Sequence, residues 1–253
     1  MILDSFRLTG KNALVTGSSR GMGAAMAIAL AQAGANVALH GSQSVPDEVR
    51  KSVEKTGVRH VALTLDLTDS NQASGLIEKT ITSLGSIDIL VNNAGITRRA
   101  PAVDYPTADW DDVLSTNLTS VFRLCQSAGR AMLAQRSGKI INVASLLSFQ
   151  GGITVPAYAA AKGGVAQLTK ALANEWAAHG VQVNAIAPGY MATDLTEALQ
   201  TDATRSRQIL ERIPAARWGK PQDVAGAVVF LASPASDYIS GHVLAIDGGW
   251  LGR

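Results

Sequence analysis

The feature that most constrains the fold is an alternation. Short runs rich in Val, Ile, Leu and Ala recur along the chain: NALVT, NVALH, HVALTL, IDILVN, KIINVA, VQVNAIA and HVLAID. Between them lie longer segments with helical spacing, such as GMGAAMAIALAQAG, which Gly34 ends, and DSNQASGLIEKTITSLG, which Gly85 ends. Strands that read as nearly continuous apolar runs are buried on both faces, and strands alternating with helices build parallel βαβ units. No linker, repeat or low-complexity segment divides the 253 residues. The pattern predicts an α/β chain, residues 1–253 as one domain, with a doubly wound parallel sheet of about seven strands and helices on both faces. Residues 190–216, rich in Thr, Arg and Glu, form the longest irregular excursion and are expected to act as a lid over a ligand.

Charge and cysteine content narrow the function. Lys and Arg number 22 against 20 Asp and Glu, so no basic face for nucleic acid or anionic lipid is expected, and a small molecule is the expected partner. The single cysteine, Cys125, excludes an internal disulfide or a cysteine-built zinc site, and VFRLCQSAG places it as a buried thiol on a helix rather than a nucleophile. The four histidines, at 40, 60, 179 and 242, are scattered, so neither a metal site nor a hydrolase triad is expected. No window approaches a membrane span, and the N-terminal stretch lacks a basic leader with an apolar core; a cytoplasmic protein is expected.

The first run passes into TGSSRGMG and then a helix. Gly17, Gly21 and Gly23 give G-x-x-x-G-x-G, which lets backbone approach a pyrophosphate at a helix N-terminus, as in Rossmann-type sites. Ser19, Arg20 and Met22 share that loop. A tight turn without a ligand is the plain alternative. The second strand ends in Gly41 and Ser42, without the acid that would repel a 2′-phosphate, so the local chemistry permits NADP as well as NAD and leans to NADP. Arg20 stands either as a phosphate contact or as a solvated cation. Asp66, followed by Leu67, stands where a carboxylate meets an adenine amino group, or else caps a helix. Asn93, Ala94 and Gly95, in VNNAG, suit close approach to a ribose; the amides equally suit hydrogen bonds to neighbouring backbone.

The stretch VPAYAAAKGGV carries the chemistry. Tyr158 and Lys162 lie four residues apart in a helix-compatible run, so both project from one face. A neighbouring ammonium favours the phenolate, and a phenol of lowered pKa can exchange a proton with an alcohol or ketone near neutrality. Ser145 closes KIINVAS and can orient a substrate oxygen. Asn117, in WDDVLSTNLTSVF, is a polar amide in a helical pattern, either simply exposed or placed to bind a water that relays protons to the lysine.

With glycine loop, NNAG, Asn117, Ser145, Tyr158 and Lys162 in this order, the chain resembles the short-chain dehydrogenase/reductase family over essentially its whole length. The resemblance implies Tyr158 as acid/base, Lys162 on the tyrosine and the nicotinamide ribose, Ser145 on the substrate and Asn117 in the relay. APGYMATD is similar to that family's P-G-x-x-x-T element, which implies Pro188 and Gly189 flanking the nicotinamide and Thr193 on its carboxamide. A homotetramer is implied too. Segments such as ITRRAPA, ASLLSFQGGITVPAY and AIDGGWLGR resemble a branch of the family that acts on deoxy and keto sugar acids in uronate breakdown. In that setting Arg98 and Arg99 are candidates for a substrate carboxylate and Gln150 for a hydroxyl, solvated charge or a subunit contact being the alternative for the arginine pair. Arg217 and Trp218 are a weaker candidate pair for an interface. The competing readings are a 3-oxoacyl carrier-protein reductase, which shares the catalytic residues, and a non-catalytic dinucleotide sensor, which has no need of a tuned base.

Overall fold

The structure, a computed structural model, describes residues 1–253 apart from the side chain of Asn71. Seven strands, β1 (Asn12–Val15), β2 (Asn36–Gly41), β3 (His60–Thr64), β4 (Ile89–Asn92), β5 (Gly138–Val143), β6 (Val181–Pro188) and β7 (Val243–Ile246), form one sheet in the order β3-β2-β1-β4-β5-β6-β7. Every neighbouring pair is parallel, with Val15 beside both Leu39 and Val91, and Asn92 beside Asn142.

The helices are α1 (Gly21–Gln32), α2 (Asp47–Glu54), α3 (Ala73–Leu84), α4 (Thr107–Leu114), α5 (Ser120–Gln135), α6 (Pro156–Trp176), α7 (Glu197–Thr201), α8 (Ala203–Arg212) and α9 (Ala225–Ala232). Strand side chains alternate between two apolar layers because successive residues point to opposite faces. Leu14, Ala38, Leu90 and Ile140 pack with side chains of α3, α5 and α6, whereas Val15, Leu39, Val91 and Ile141 pack with those of α1 and α9. That double burial explains the unbroken apolar runs. Gly85 ends α3 at φ +100°, the left-handed geometry that glycine adopts without strain.

The chain leaves β1 towards β2 and β3, then returns to the other side of β1 with β4. A crevice opens outside the carboxyl ends of the strands at such a reversal, and it is where ligands bind in open α/β sheets.

Two local expectations change. Residues 190–216 are largely helical rather than irregular, carrying a turn at Asp194–Thr196 followed by α7 and α8. Asp202 caps α8 by accepting the Thr204 and Arg205 N–H groups, each at 3.0 Å. Only Ile209 of α8 is buried, so the helix has no apolar stripe to betray it. Asn117, expected mid-helix, lies in a π-helical turn over Ser115–Thr119 that joins α4 to α5. Arg217 pairs with Asp223 at 2.6 Å and the Trp218 ring meets Tyr190 edge-on at 5.7 Å, so both side chains have partners within this chain. No helix among the described residues is long and apolar enough to cross a membrane.

Candidate active site

The loops after β1 and β4 are laced together. Thr16 Oγ1 accepts the N–H groups of Asn93 and Ala94, each at 3.0 Å, while Asn93 Nδ2 donates to the carbonyls of Thr16 and Gly17 at 2.9 and 3.0 Å. Asn93 therefore serves the backbone alternative, its side-chain donor already engaged. A Cβ on Gly23 would lie 2.1 Å from the Gly17 carbonyl oxygen and 2.5 Å from Asn93 Nδ2, so only glycine fits. Arg20, at the N-cap of α1, makes no side-chain cap. The first N–H groups of the helix, from Gly21, Met22 and Gly23, thus remain as donors for an anion, an arrangement that fits a pyrophosphate.

His40 underpins this loop, and no motif marked it. Buried at the end of β2, it accepts the Gly17 N–H through Nδ1 at 3.1 Å, and its Nε2 lies 2.8 Å from the Leu65 carbonyl. Those partners require the neutral ring with its proton on Nε2, and burial pushes the imidazole below its ordinary pKa, in agreement. The adjoining Gly41 has a physical cause: a Cβ there would meet the Ser44 carbonyl oxygen at 2.1 Å, so no acid can occupy the position. Ser42 follows it, exposed. Asp66 is exposed beyond β3 and accepts the Thr68 N–H at 3.0 Å, while the Leu67 side chain belongs to the core and leaves only its backbone for a ligand.

Arg20 Nη1 lies 3.1 Å from Asp194 Oδ2, so the candidate for either a phosphate contact or a solvated cation is tied here to the turn that follows Thr193. Both side chains are more than 60% exposed, and such a pair is worth little, which leaves Arg20 easily redirected. Thr193 sits over the start of α1, its Cγ2 3.6 Å from where a Gly21 Cβ would stand. Pro188, Gly189 and Thr193 line one cavity with Met22.

Ser145, Tyr158 and the segment before α6 line the same cavity. Lys162 is 3% exposed, donates to the Val143 carbonyl at 2.6 Å and lies 5.6 Å from the Tyr158 ring centroid. Burial lowers its pKa to about 8. Tyr158 is partly buried. Burial pushes its phenol above the ordinary value, while a hydrogen bond with Ser145 and the charge of Arg99 pull it down. This corrects the expectation for the pair: Lys162 directs its Nζ to backbone, and the opposing influences on the phenol come from Ser145 and Arg99. Asn117 Oδ1 accepts the Ile96 N–H at 2.9 Å and its Nδ2 donates to the Ile96 carbonyl at 2.8 Å, so the amide splints the loop after Gly95. Cys125 is buried and burial pushes its thiol up to about 12, no state for a nucleophile.

The cavity has a volume of about 370 Å³. Arg99 and Gln150 line it, with Tyr190, Arg205, Gln208, Arg212 and Trp250, which the sequence patterns did not single out. Arg98 does not: its Nε lies 3.7 Å from Asp109, and its carbonyl accepts the Tyr105 hydroxyl at 3.2 Å. The pair expected at one carboxylate is therefore split. Among the described residues, no aspartate or glutamate lines the cavity.

A doubly wound sheet, an anion-ready turn at its reversal and a Ser, Tyr and Lys group beside an arginine-bearing cavity define a dinucleotide-dependent oxidoreductase. The chain belongs to the short-chain dehydrogenase/reductase family and uses NAD(P): a family model described as enoyl-(acyl carrier protein) reductase matches residues 17–251. The 2-dehydro-3-deoxy-D-gluconate 5-dehydrogenase of Dickeya dadantii is 51% identical, with 100% of both chains covered. A crystal structure of a putative 2-deoxy-D-gluconate 3-dehydrogenase from Agrobacterium tumefaciens with bound NADP superposes with a TM-score of 0.92 at 50% identity, covering 99% of this chain and 100% of that one. A putative NAD(P)-dependent gluconate 5-dehydrogenase from Beutenbergia cavernae, with NADP bound at low occupancy, gives 0.95 at 47% identity, covering 98% and 100%.

Proposed function

We propose that this enzyme transfers a hydride between NAD(P) and a hydroxyl or keto carbon of a deoxy sugar acid, of the 2-deoxygluconate, 2-keto-3-deoxygluconate or 4-deoxy-5-hexoseulose uronate type. The observation that carries the reading is the cavity itself, where three arginines and no acid stand with Ser145 and Tyr158. Uncompensated guanidinium groups select an anion, and their planar forks suit a carboxylate. The relatives named for gluconate and its keto-deoxy derivatives support the same class.

The loop Gly17–Gly23 with Ser19 and Arg20, Ser42, Asp66, the Leu67 backbone, Asn93–Gly95, Pro188, Gly189 and Thr193 would hold the dinucleotide. When bound, it supplies or accepts the hydride. Tyr158 gives a proton to the carbonyl oxygen in reduction and takes it back in oxidation. Ser145, which lines the cavity with Tyr158, orients that oxygen. Lys162, anchored on Val143, holds a cation 5.6 Å from the Tyr158 ring centroid, where it would also serve the nicotinamide ribose. The absence of an acid at Gly41 and the NADP bound by the two similar structures support NADP as the preferred cofactor. Residues 190–216, which wall the cavity, act as its lid. The setting is a cytoplasmic homotetramer in uronate breakdown, and the apolar side chains of Trp110 and Phe122 left exposed on α4 and α5 support subunit contact.

Nicotinamide absorbance tests the reading, with NAD and NADP supplied separately in oxidised and reduced forms against a panel of sugar acids and a short 3-oxoacyl thioester. Turnover of a deoxy or keto sugar acid is the expected result. Turnover of the thioester alone would overturn it in favour of a carrier-protein reductase.

A further inference from the structure

Arg205, Gln208, Ile209 and Arg212 recur at helical spacing, so one face of α8 presents all four to the cavity that they line. Each arginine is oriented from the side. Arg205 Nη1 donates to Gln208 Oε1 at 2.8 Å. The Arg212 guanidinium carbon stands 4.1 Å from the Trp250 ring centroid, and Arg212 Nη2 donates to Gln150 Oε1 at 3.3 Å. The same oxygen accepts the Trp250 indole N–H at 3.2 Å, so Gln150, Arg212 and Trp250 fix one another across three separate segments of chain. The ion pair on α8 joins Arg207 to Glu211 at 3.8 Å and does not involve the cavity-facing arginines.

Arg99 occupies a different electrical position. Its charge bears on the Tyr158 phenol and favours the phenolate. A substrate carboxylate laid on Arg99 would cancel that pull at the atom that must exchange a proton. A carboxylate on the α8 arginines has no such cost, and it meets donors whose orientation is already held, so less freedom is lost on binding.

We propose that Arg205 and Arg212 of α8, braced by Gln208, Gln150 and Trp250, bind the substrate carboxylate. The carbon that exchanges hydride then lies away from the carboxylate. The proposal rests on the sugar-acid reading and adds to it a polarity: acid end on α8, carbonyl end on Ser145 and Tyr158.

The test uses full-length enzyme, NAD(P)+ and two probes, 2-dehydro-3-deoxy-D-gluconate and its methyl ester, in which the anionic charge is removed. Wild type is expected to prefer the acid. In Arg212→Gln the KM for the acid rises on the order of 10- to 100-fold, as the loss of a charge-assisted contact implies. The change in kcat stays within about threefold, because the lost contact is made alike in ground and transition states. The KM for NADP+ stays unchanged, and the preference for acid over ester collapses. Arg205→Gln acts in the same direction. Arg212→Lys, which keeps the charge without the fork, recovers part of the preference and separates loss of recognition from loss of folding. Arg99→Gln instead lowers kcat and moves its pH profile upward. If wild type turns over no sugar acid of the panel, the functional reading falls and the carboxylate assignment falls with it. If wild type turns over the acid but both α8 variants keep the acid preference while Arg99→Gln erases it, only the assignment falls.

Discussion

The two walls of the cavity are built by opposite means. The wall at the sheet end, which carries Ser145 and Tyr158, is backed by polar groups spent on fixed partners: Lys162 on Val143, Asn117 on both backbone groups of Ile96, Ser148 on the Lys162 carbonyl at 2.6 Å. Lys162 and Asn117 are 3% and 0% exposed. The α8 wall buries Ile209 alone, in a small cluster with Leu146, Ile213 and Trp250, and is held besides by a cap at Asp202 and by the Arg212 contact with Gln150. The contrast separates two tasks. Proton transfer needs groups fixed to a few tenths of an ångström, which packed strands and a long helix provide. Recognition of a flexible acid tolerates a wall that opens locally at low cost, and ligand-binding elements are drawn from such low-stability regions.

The largest test of the contrast removes the chemistry and leaves recognition alone. Tyr158→Phe deletes the hydroxyl that exchanges the proton, and kcat is expected to fall at least about 10³-fold, within the range that a positioned acid/base contributes. Affinities for NADP+ and for the acid probe, measured by calorimetry, are expected to stay within about twofold. A comparable loss of acid binding would mean that the two walls share one function.

Lys162 tests whether the sheet-end wall carries a stability cost for its role. A lysine lowered from 10.5 to about 8 by burial holds its charge at a penalty on the order of 3 kcal/mol near neutrality. The hydrogen bond to Val143 returns about 1 kcal/mol of that. Lys162→Met is therefore expected to inactivate the enzyme yet raise its unfolding free energy by about 2 kcal/mol at pH 7, measured in denaturant without cofactor. The pH dependence has a definite sign. Because the folded lysine releases its proton more readily than the unfolded one, wild-type stability from this group rises as pH climbs from about 8 towards 10.5, and the advantage of the methionine variant shrinks over that window. A variant less stable than wild type at pH 7 would show that the cation strengthens the wall.

The sheet-end wall was far more legible in the sequence than α8. Its demands are strict and local. Gly23 can carry no side chain, and Tyr158 and Lys162 must share a helix face, so the residue types and their spacing survive as patterns. What the spacing does not carry there is partners: Asn117 and Lys162 lie behind the site, and a sequence does not say that a backbone carbonyl or the Ile96 backbone will engage their polar atoms. His40 escaped for a related reason, since its task is to span two backbone groups and no spacing rule expresses that. On α8 the failure was one of contrast. One buried isoleucine among Thr, Arg, Gln and Glu reads as solvated surface, and Trp250 lies 38 residues beyond Arg212, so only the folded chain brings them together.

The smallest expected effect addresses α8 itself. Asp202 satisfies two N–H groups at the start of that helix, and replacing such a cap by alanine costs about 1 kcal/mol. In a ten-residue helix with one buried side chain, that loss is felt as local fraying more than as global unfolding. Asp202→Ala is accordingly expected to raise the KM for the acid probe roughly fivefold, the equivalent of 1 kcal/mol, with kcat and the KM for NADP+ unchanged. Amide exchange should quicken at residues 204–208 but not along α6. The midpoint of global unfolding should hardly move, because the core layers on either side of the sheet do not depend on α8. If kcat and cofactor affinity fell together with acid affinity, α8 and the sheet end would have to open as one unit, and the division between a rigid wall for chemistry and a yielding wall for recognition would fail.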